Sequence, residues 1–268
     1  MRTKDAMDIF INSRRASGVS PETIRWYKDI FRKFEAKCYD LPETPNLIID
    51  FMASCSVGDE RLHGYYRALR AMYNYLDLRL HSYPNPMKCV PQPKRKPKIP
   101  RPLMPEELDQ LISYPHPPNI RAALMFLIDT GCRIGELANL QLNDITKTPY
   151  GYMARVTGKT GTRLVPICNE TYYALIKVMP LGYSKYRLRR KVSMAFDDAH
   201  VQGSSINLRH TFGTYWEGDE SILQHIMGHT HFETTLIYRQ LRFRRIAEQH
   251  RLYSPLRMIM GGTKSMDL

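Results

Sequence analysis

Residues 130–137 read Thr130-Gly131-Cys132-Arg133-Ile134-Gly135-Glu136-Leu137. A helical apolar stretch, Ala122 to Ile128, leads into them, and Thr130-Gly131 closes it, glycine being the residue that most readily ends a helix. Arg133 then occupies a short turn before the next helical segment. Such a turn aims the planar guanidinium in one direction. Further on, Tyr152 to Thr157 and Thr162 to Ile167 are strand-like runs. Gly158-Lys159-Thr160-Gly161 joins them into a β-hairpin with Lys159 at its tip. Helical patterns resume from Glu170. Asn207-Leu208-Arg209-His210-Thr211-Phe212 sets an Arg-His pair before an apolar segment. Met227-Gly228-His229-Thr230 is followed, nine residues after His229, by Tyr238. Each stretch alone is weak. An isolated arginine is usually a surface charge, an isolated tyrosine usually half-buried core, and a histidine beside glycine usually a cap.

The whole chain has 268 residues, 43% of them hydrophobic and 24% charged, which suits globular domains with real cores. No run of about 18 apolar residues is present to span a bilayer, and the first residues lack the apolar region of a signal peptide. The five cysteines (38, 55, 89, 132 and 168) are widely spaced without a Cys-x-x-Cys, so the expectation is a reducing cytoplasm without disulfides or a zinc knuckle. The formal net charge is +13. A surplus of that size opposes compaction and is usually matched by a polyanion, most often nucleic acid; a solubilising surface is the plainer alternative.

Outward toward the N-terminus, the chain divides into residues 1–83, 84–104 and 105–268. The first part reads as all-helical. Ser20-Pro21-Glu22 is a helix start with a hydroxyl cap and proline in the first turn. Ile24, Tyr27, Phe31 and Phe34 follow at helical spacing. A second stripe runs through Leu62, Tyr65, Tyr66, Leu69, Met72, Tyr73 and Leu76, with Arg61, Arg67, Arg70 and Arg79 on the other side. These arginines are either a solvated face or a phosphate-contacting one. Residues 84–105 hold eight prolines and six basic residues without an acid. Such a segment is extended and semi-rigid. Lys94, Arg95, Lys96, Lys98 and Arg101 would let it follow a phosphate backbone; a localisation-type basic patch and a plain hydrated linker are the other readings. Pro105-Glu106-Glu107 starts the next helix. The fold expected is mainly α with a small β-hairpin or sheet.

The four boxes, in this order and spacing, resemble the tyrosine recombinase (phage integrase-like) family, in particular its compact Xer-like and archaeal or mobile-element members. The resemblance rests on Thr130–Leu140, Gly158–Ile167, Leu208–Tyr215 and Leu223–Tyr238, and extends to the linker and the Ser20-Pro21-Glu22-Thr23 helix start. It implies two domains, an all-helical core-binding domain and a mixed α/β catalytic domain, that together clamp duplex DNA. It implies that Tyr238 attacks a phosphodiester to form a 3′-phosphotyrosine link, releasing a 5′-hydroxyl. Arg133 and Arg209 would hold the phosphate oxygens, Lys159 would protonate the leaving 5′-oxygen, and His229 would hydrogen-bond the phosphate. No metal or other cofactor is implied. The partners implied are double-stranded DNA carrying specific recombination sites and further copies of the chain, a tetramer in the synaptic complex. The expected location is the cytoplasm, on DNA.

The chain departs from the family pattern at Ile206, where a histidine usually stands three residues before the second-box arginine. Isoleucine cannot exchange a proton, so His200, Asn207 and His210 are candidates to compensate. The alternative is a scaffold that binds DNA with little or no catalysis. Only 50 positions separate Lys159 from Arg209, and five of residues 185–191 are basic, a DNA-facing helix or a solvated face. Past Tyr238, an arginine-rich tail with Phe243, Ile246, Leu252 and Leu256 is expected to dock on a neighbouring subunit. A type IB topoisomerase and a transcriptional regulator reading the major groove are rival classes.

Overall fold

The computed structural model describes residues 1–80, 84–94, 100–229 and 234. Two compact units divide the chain, Met1–Lys98 and Ile99–Leu268.

The first unit is helical: α1 (Thr3–Ala16), α2 (Pro21–Glu35), α3 (Pro45–Ala53) and α4 (Asp59–Leu80), then a short 3-10 turn, Pro86–Lys88. Ser20 Oγ accepts the Thr23 N–H at 3.3 Å, and Pro21 opens α2, where a missing N–H is harmless. The α2 stripe buries Ile24, Phe31 and Phe34, with Tyr27 half-buried at its edge. Phe10 of α1 meets Tyr27 edge-on at 5.1 Å between ring centres and Phe31 at 5.8 Å. From α4 come Tyr65, Tyr66, Leu69, Met72, Tyr73 and Leu76. The Tyr73 hydroxyl, deep in this core, donates to the Pro42 carbonyl at 2.9 Å, which meets the requirement that a buried hydroxyl be bonded. Arg61, Arg67, Arg70 and Arg79 lie on the exposed side of α4.

Met87 and Val90 are buried in this first core, and Leu103 is fully buried in the second. Residues 84–104 are therefore not a hydrated strap throughout. Apolar side chains placed between the prolines anchor both ends, each in its own unit.

The second unit contains α5 (Pro105–Ser113), α6 (Pro118–Thr130), α7 (Ile134–Asn139), β1 (Ile145–Thr148), β2 (Gly151–Gly158), β3 (Gly161–Ile167), α8 (Asn169–Ile176), α9 (Lys185–Asp198), α10 (Ser205–Tyr215) and α11 (Glu220–Met227). Helix α6 is apolar almost all round and buries Ile120, Ala122, Ala123, Leu124, Phe126 and Leu127 at the centre of the core, packing on α8 and α10. The strands form an antiparallel sheet in the order β1-β2-β3. The hairpin register pairs Val156 with Arg163 and Gly158 with Gly161. The strand β1 is an addition to the expected hairpin. Its middle residues, Thr146 and Lys147, are exposed and carry no alternating pattern, so backbone pairing and the Arg155–Asp144 ion pair (2.8 Å) define it.

Gly131 ends α6 in the left-handed region at φ 59°. A Cβ there would stand 2.5 Å from Phe212 Cδ1. Gly182, at φ 67° in the same unit, has no atom closer than 4.0 Å to such a Cβ. Gly131→Ala should therefore cost about 2–4 kcal/mol, combining backbone strain with overpacking, and Gly182→Ala only about 1–2 kcal/mol. Urea unfolding of the two variants checks this; equal losses would show that the Phe212 contact is not limiting.

Candidate active site

Helix α7 begins at Arg133 with an acid at its third position, a pairing that caps helix starts. Glu136 Oε2 accepts the Arg133 backbone N–H at 2.8 Å, and Oε1 lies 3.4 Å from Arg133 Nη1. The carboxylate is 2% exposed. Its other partner is Arg163 of β3, whose Nη1 and Nη2 donate to Oε1 and Oε2 at 2.9 and 3.0 Å. Burial alone would raise the Glu136 pKa. The Arg163 hydrogen bonds, the Arg133 N–H and the guanidinium charges outweigh it and hold the carboxyl below its ordinary value.

Arg209 stands on α10 and is 4% exposed. Its Nη1 donates to the Gly131 carbonyl at 2.6 Å and its Nη2 to the Met227 carbonyl at 2.7 Å. One guanidinium thus touches the turn that carries Arg133 and the segment that carries His229. His229 follows α11 after Gly228, which turns the chain at φ 63°. Its N–H donates to the Gln224 carbonyl, and Gln224 Nε2 returns a bond to the His229 carbonyl, both at 3.1 Å. Burial, then Arg209, Arg133 and Arg163, push the His229 pKa down to about 4, so its imidazole is neutral at neutral pH. Lys159 sits exposed at the β2–β3 turn. The adjacent Thr160 Oγ1 donates to the Gly228 carbonyl at 3.3 Å, tying the hairpin tip to the residue beside His229. An open depression of about 440 Å³ lies between this turn and α11, lined in part by Thr160, Arg163, Gln224 and His229.

Arg133, Arg209 and His229 therefore share one neighbourhood, with the Lys159 hairpin joined to it. Tyr238 lies outside the described residues, as do Arg95, Lys96, Lys98 and the tail from Phe243. Of the remaining strap cations, Lys94 is exposed. Arg101 donates to the Gln202 carbonyl at 2.6 Å and to Glu107 Oε1 at 2.5 Å, so its guanidinium holds the chain onto its own unit.

Ile206 is 51% exposed in the first turn of α10. Among its candidate substitutes, Asn207 is occupied as a helix cap: Oδ1 accepts the Ser204 N–H and Nδ2 donates to the Arg101 carbonyl. His200 is exposed at φ 54° in the turn after α9. His210 is half-buried and directly follows Arg209 in the chain; burial, then Arg209, lower its pKa. Sequence reading missed Arg163. Its signal is the alternation of β3, where Val165 and Ile167 point inward, leaving Arg163 as a charge on the inward face of a strand. Among the described residues no three His, Cys, Asp or Glu side chains gather as a metal site requires.

A family profile described as the phage integrase family matches residues 101–245, and the chain belongs to that family, a class of enzymes that cleave and rejoin DNA. Tyrosine recombinase XerC of Pelobacter propionicus is 31% identical over 213 residues, 68% of this chain and 68% of that one. A tyrosine recombinase of Thermosipho africanus is 27% identical over 259 residues, 82% of this chain and 88% of its own. In fold, the chain is similar to a lambda integrase dimer bound to a COC′ core site, with TM-score 0.73 at 17% identity over all of this chain and 80% of that one. It is also similar to XerH recombinase bound to palindromic difH substrate, with TM-score 0.72 at 18% identity over 92% and 83% of the two chains.

The low pKa of His229 sets a pH dependence. The unfolded chain protonates this histidine near 6.5 and the folded one near 4, so between these values the unfolded state binds the extra proton. The contribution of His229 to stability is thus level above about pH 7 and falls as pH drops from about 6.5 toward 4. In the DNA-free protein an NMR titration of the His229 ring should give a midpoint below about 5; a midpoint near the ordinary 6.5 would contradict the burial among guanidinium groups described above.

Proposed function

We propose that this chain is a site-specific tyrosine recombinase that cuts and rejoins duplex DNA through a 3′-phosphotyrosine link on Tyr238. In the cleavage step the Tyr238 oxygen forms a bond to phosphorus and gives its proton to a solvent water, while the bond from phosphorus to the 5′-oxygen breaks. The Lys159 ammonium gives a proton to that leaving oxygen. Arg133 and Arg209 stabilise the negative charge that builds on the non-bridging oxygens, and neutral His229 hydrogen-bonds the phosphate. The reverse step, attack by a 5′-hydroxyl from a partner strand, rejoins DNA without an external energy source.

One observation carries this reading above the others: Arg209 donates at once to Gly131 and Met227. A buried guanidinium with fixed donors joins three boxes that are far apart in sequence, which is the preorganisation that phosphoryl transfer needs. The non-catalytic reading prompted by Ile206 is the weaker one, because Arg133, Lys159, Arg209, His229 and Tyr238 are all kept. Together with the family, this favours an active enzyme.

The partner is double-stranded DNA with specific recombination sites. The two solved relatives named above are described on DNA, and lambda integrase also as a tetramer on a Holliday junction. By the same reading this chain acts as a homotetramer at synapsis, in the cytoplasm, on DNA. Residues 1–83 serve as the core-binding domain and 105–268 as the catalytic one, and residues 84–104 bring Lys94, Arg95, Lys96 and Lys98 to the phosphates. Arg61, Arg67 and Arg70, exposed on α4, suit phosphate contact. Helix α9 supports the reading as well. It opens with Lys185 and Arg187 and no acid in its first turn, against the preference of a helix N-terminus for negative charge. A nearby polyanion offsets that repulsion.

With a nicked suicide duplex carrying the recombination site, the wild-type chain should form a covalent protein–DNA adduct that Tyr238→Phe abolishes. Arg133→Ala should lower the single-turnover rate by about 10²-fold or more, while DNA binding persists at low salt. An adduct surviving in Tyr238→Phe would remove Tyr238 as nucleophile; no adduct from the wild-type chain would leave a DNA-binding scaffold. Binding should weaken steeply with added salt, with a log–log slope proportional to the number of phosphates neutralised.

A further inference from the structure

We infer that Arg163 is a positioning residue for the strand-cleavage reaction: it fastens the root of the Lys159 hairpin to the Arg133 turn and to the end of α11 that leads to His229. The inference rests on the reading of Lys159 as the proton donor.

The geometry is that of a three-way joint. The Arg163 side chain is 8% exposed. Both terminal nitrogens go to Glu136, the residue that caps the Arg133 turn, and Nε donates to the Ile226 carbonyl at 2.7 Å, three residues before His229. Arg163 lies across from Val156, two residue pairs from the turn that carries Lys159. At the tip the Thr160 hydroxyl also reaches the Gly228 carbonyl, but the lysine side chain beside it is long and flexible. The reach of its ammonium therefore depends on where the strand root is held.

Two glycines make room for the joint. A Cβ on Gly158, at the end of β2, would overlap Glu136 Oε1, and one on Gly228 would stand 2.9 Å from Arg163 Cζ. The carboxylate and the guanidinium are thus seated directly against the hairpin backbone and the backbone beside His229. A buried ion pair is a poor source of net stability, since apolar groups of equal volume often do as well. What apolar groups cannot reproduce is the fixed direction of a bidentate fork with a third donor diverging from it in the same plane.

The test measures single-turnover adduct formation by Arg163→Lys and by Arg163→Gln, both of which leave Glu136 and its bond to the Arg133 N–H in place. Each is assayed on an ordinary suicide duplex and on one whose scissile 5′-bridging oxygen is replaced by sulfur. A thiolate leaves without being protonated, so that substrate has no need of a placed acid. The expected result is a loss of about 10²-fold on the oxygen substrate, with DNA binding and the circular dichroism spectrum retained, and recovery to within about threefold of wild type on the sulfur substrate. A protein that is merely loosened would stay slow on both. Lys159→Ala is the control. If sulfur relieves Lys159→Ala but not the Arg163 variants, the inference is overturned and the role of Lys159 stands. If sulfur relieves neither, the role of Lys159 fails and the inference fails with it. Rates within threefold of wild type on the oxygen substrate would also overturn it.

Discussion

The carboxylate of Glu136 is the fixed point of the catalytic unit. An ionised carboxyl at 2% exposure is tolerable only when its oxygens are bonded, and here a backbone N–H and two guanidinium groups supply the bonds. Each donor belongs to a part of the chain the proposed chemistry needs: the Arg133 turn directly, and β3 through Arg163. Moving any one of them leaves a buried charge short of a partner, which is far more unfavourable than breaking an exposed pair. The same joint reaches α11 through the Ile226 carbonyl, so the hairpin, the turn and the histidine segment are held as one body.

Around that fixed point the charge is deliberately one-sided. Burial, then Arg209, Arg133 and Arg163, keep His229 neutral. A neutral imidazole can donate one hydrogen bond and accept another, whereas the imidazolium would add a further cation beside three others. In the proposed mechanism this excess of positive charge, set in partly buried surroundings, meets the negative charge that grows on the phosphate. The +13 net charge and the basic first turn of α9 follow the same logic over longer range.

Most of the secondary structure was legible because it is written in local chemistry. Ser20-Pro21 does start a helix, Gly131 does end one, and the Gly158–Gly161 stretch does turn a hairpin. The boxes carrying Arg133, Arg209 and His229 could be found because their order and spacing are a one-dimensional property. Strand β1 escaped because its residues carry no alternation, its existence resting on pairing with β2. The proline-rich segment reads as extended because prolines and charges dominate its composition, while three buried apolar side chains decide where it is anchored.

The sequence by itself determined the family, the helix ends, the hairpin and the identity of the charged groups, since each depends on residues close together in the chain or on their order. Only the tertiary structure decided which charges face one another. It made Arg163 the partner of Glu136, gave Arg209 its two carbonyls and withdrew Asn207 into a cap. The physical reason is that a buried charge is satisfied by whatever donor the fold brings within about 3 Å, and that distance is fixed by packing between segments distant along the chain.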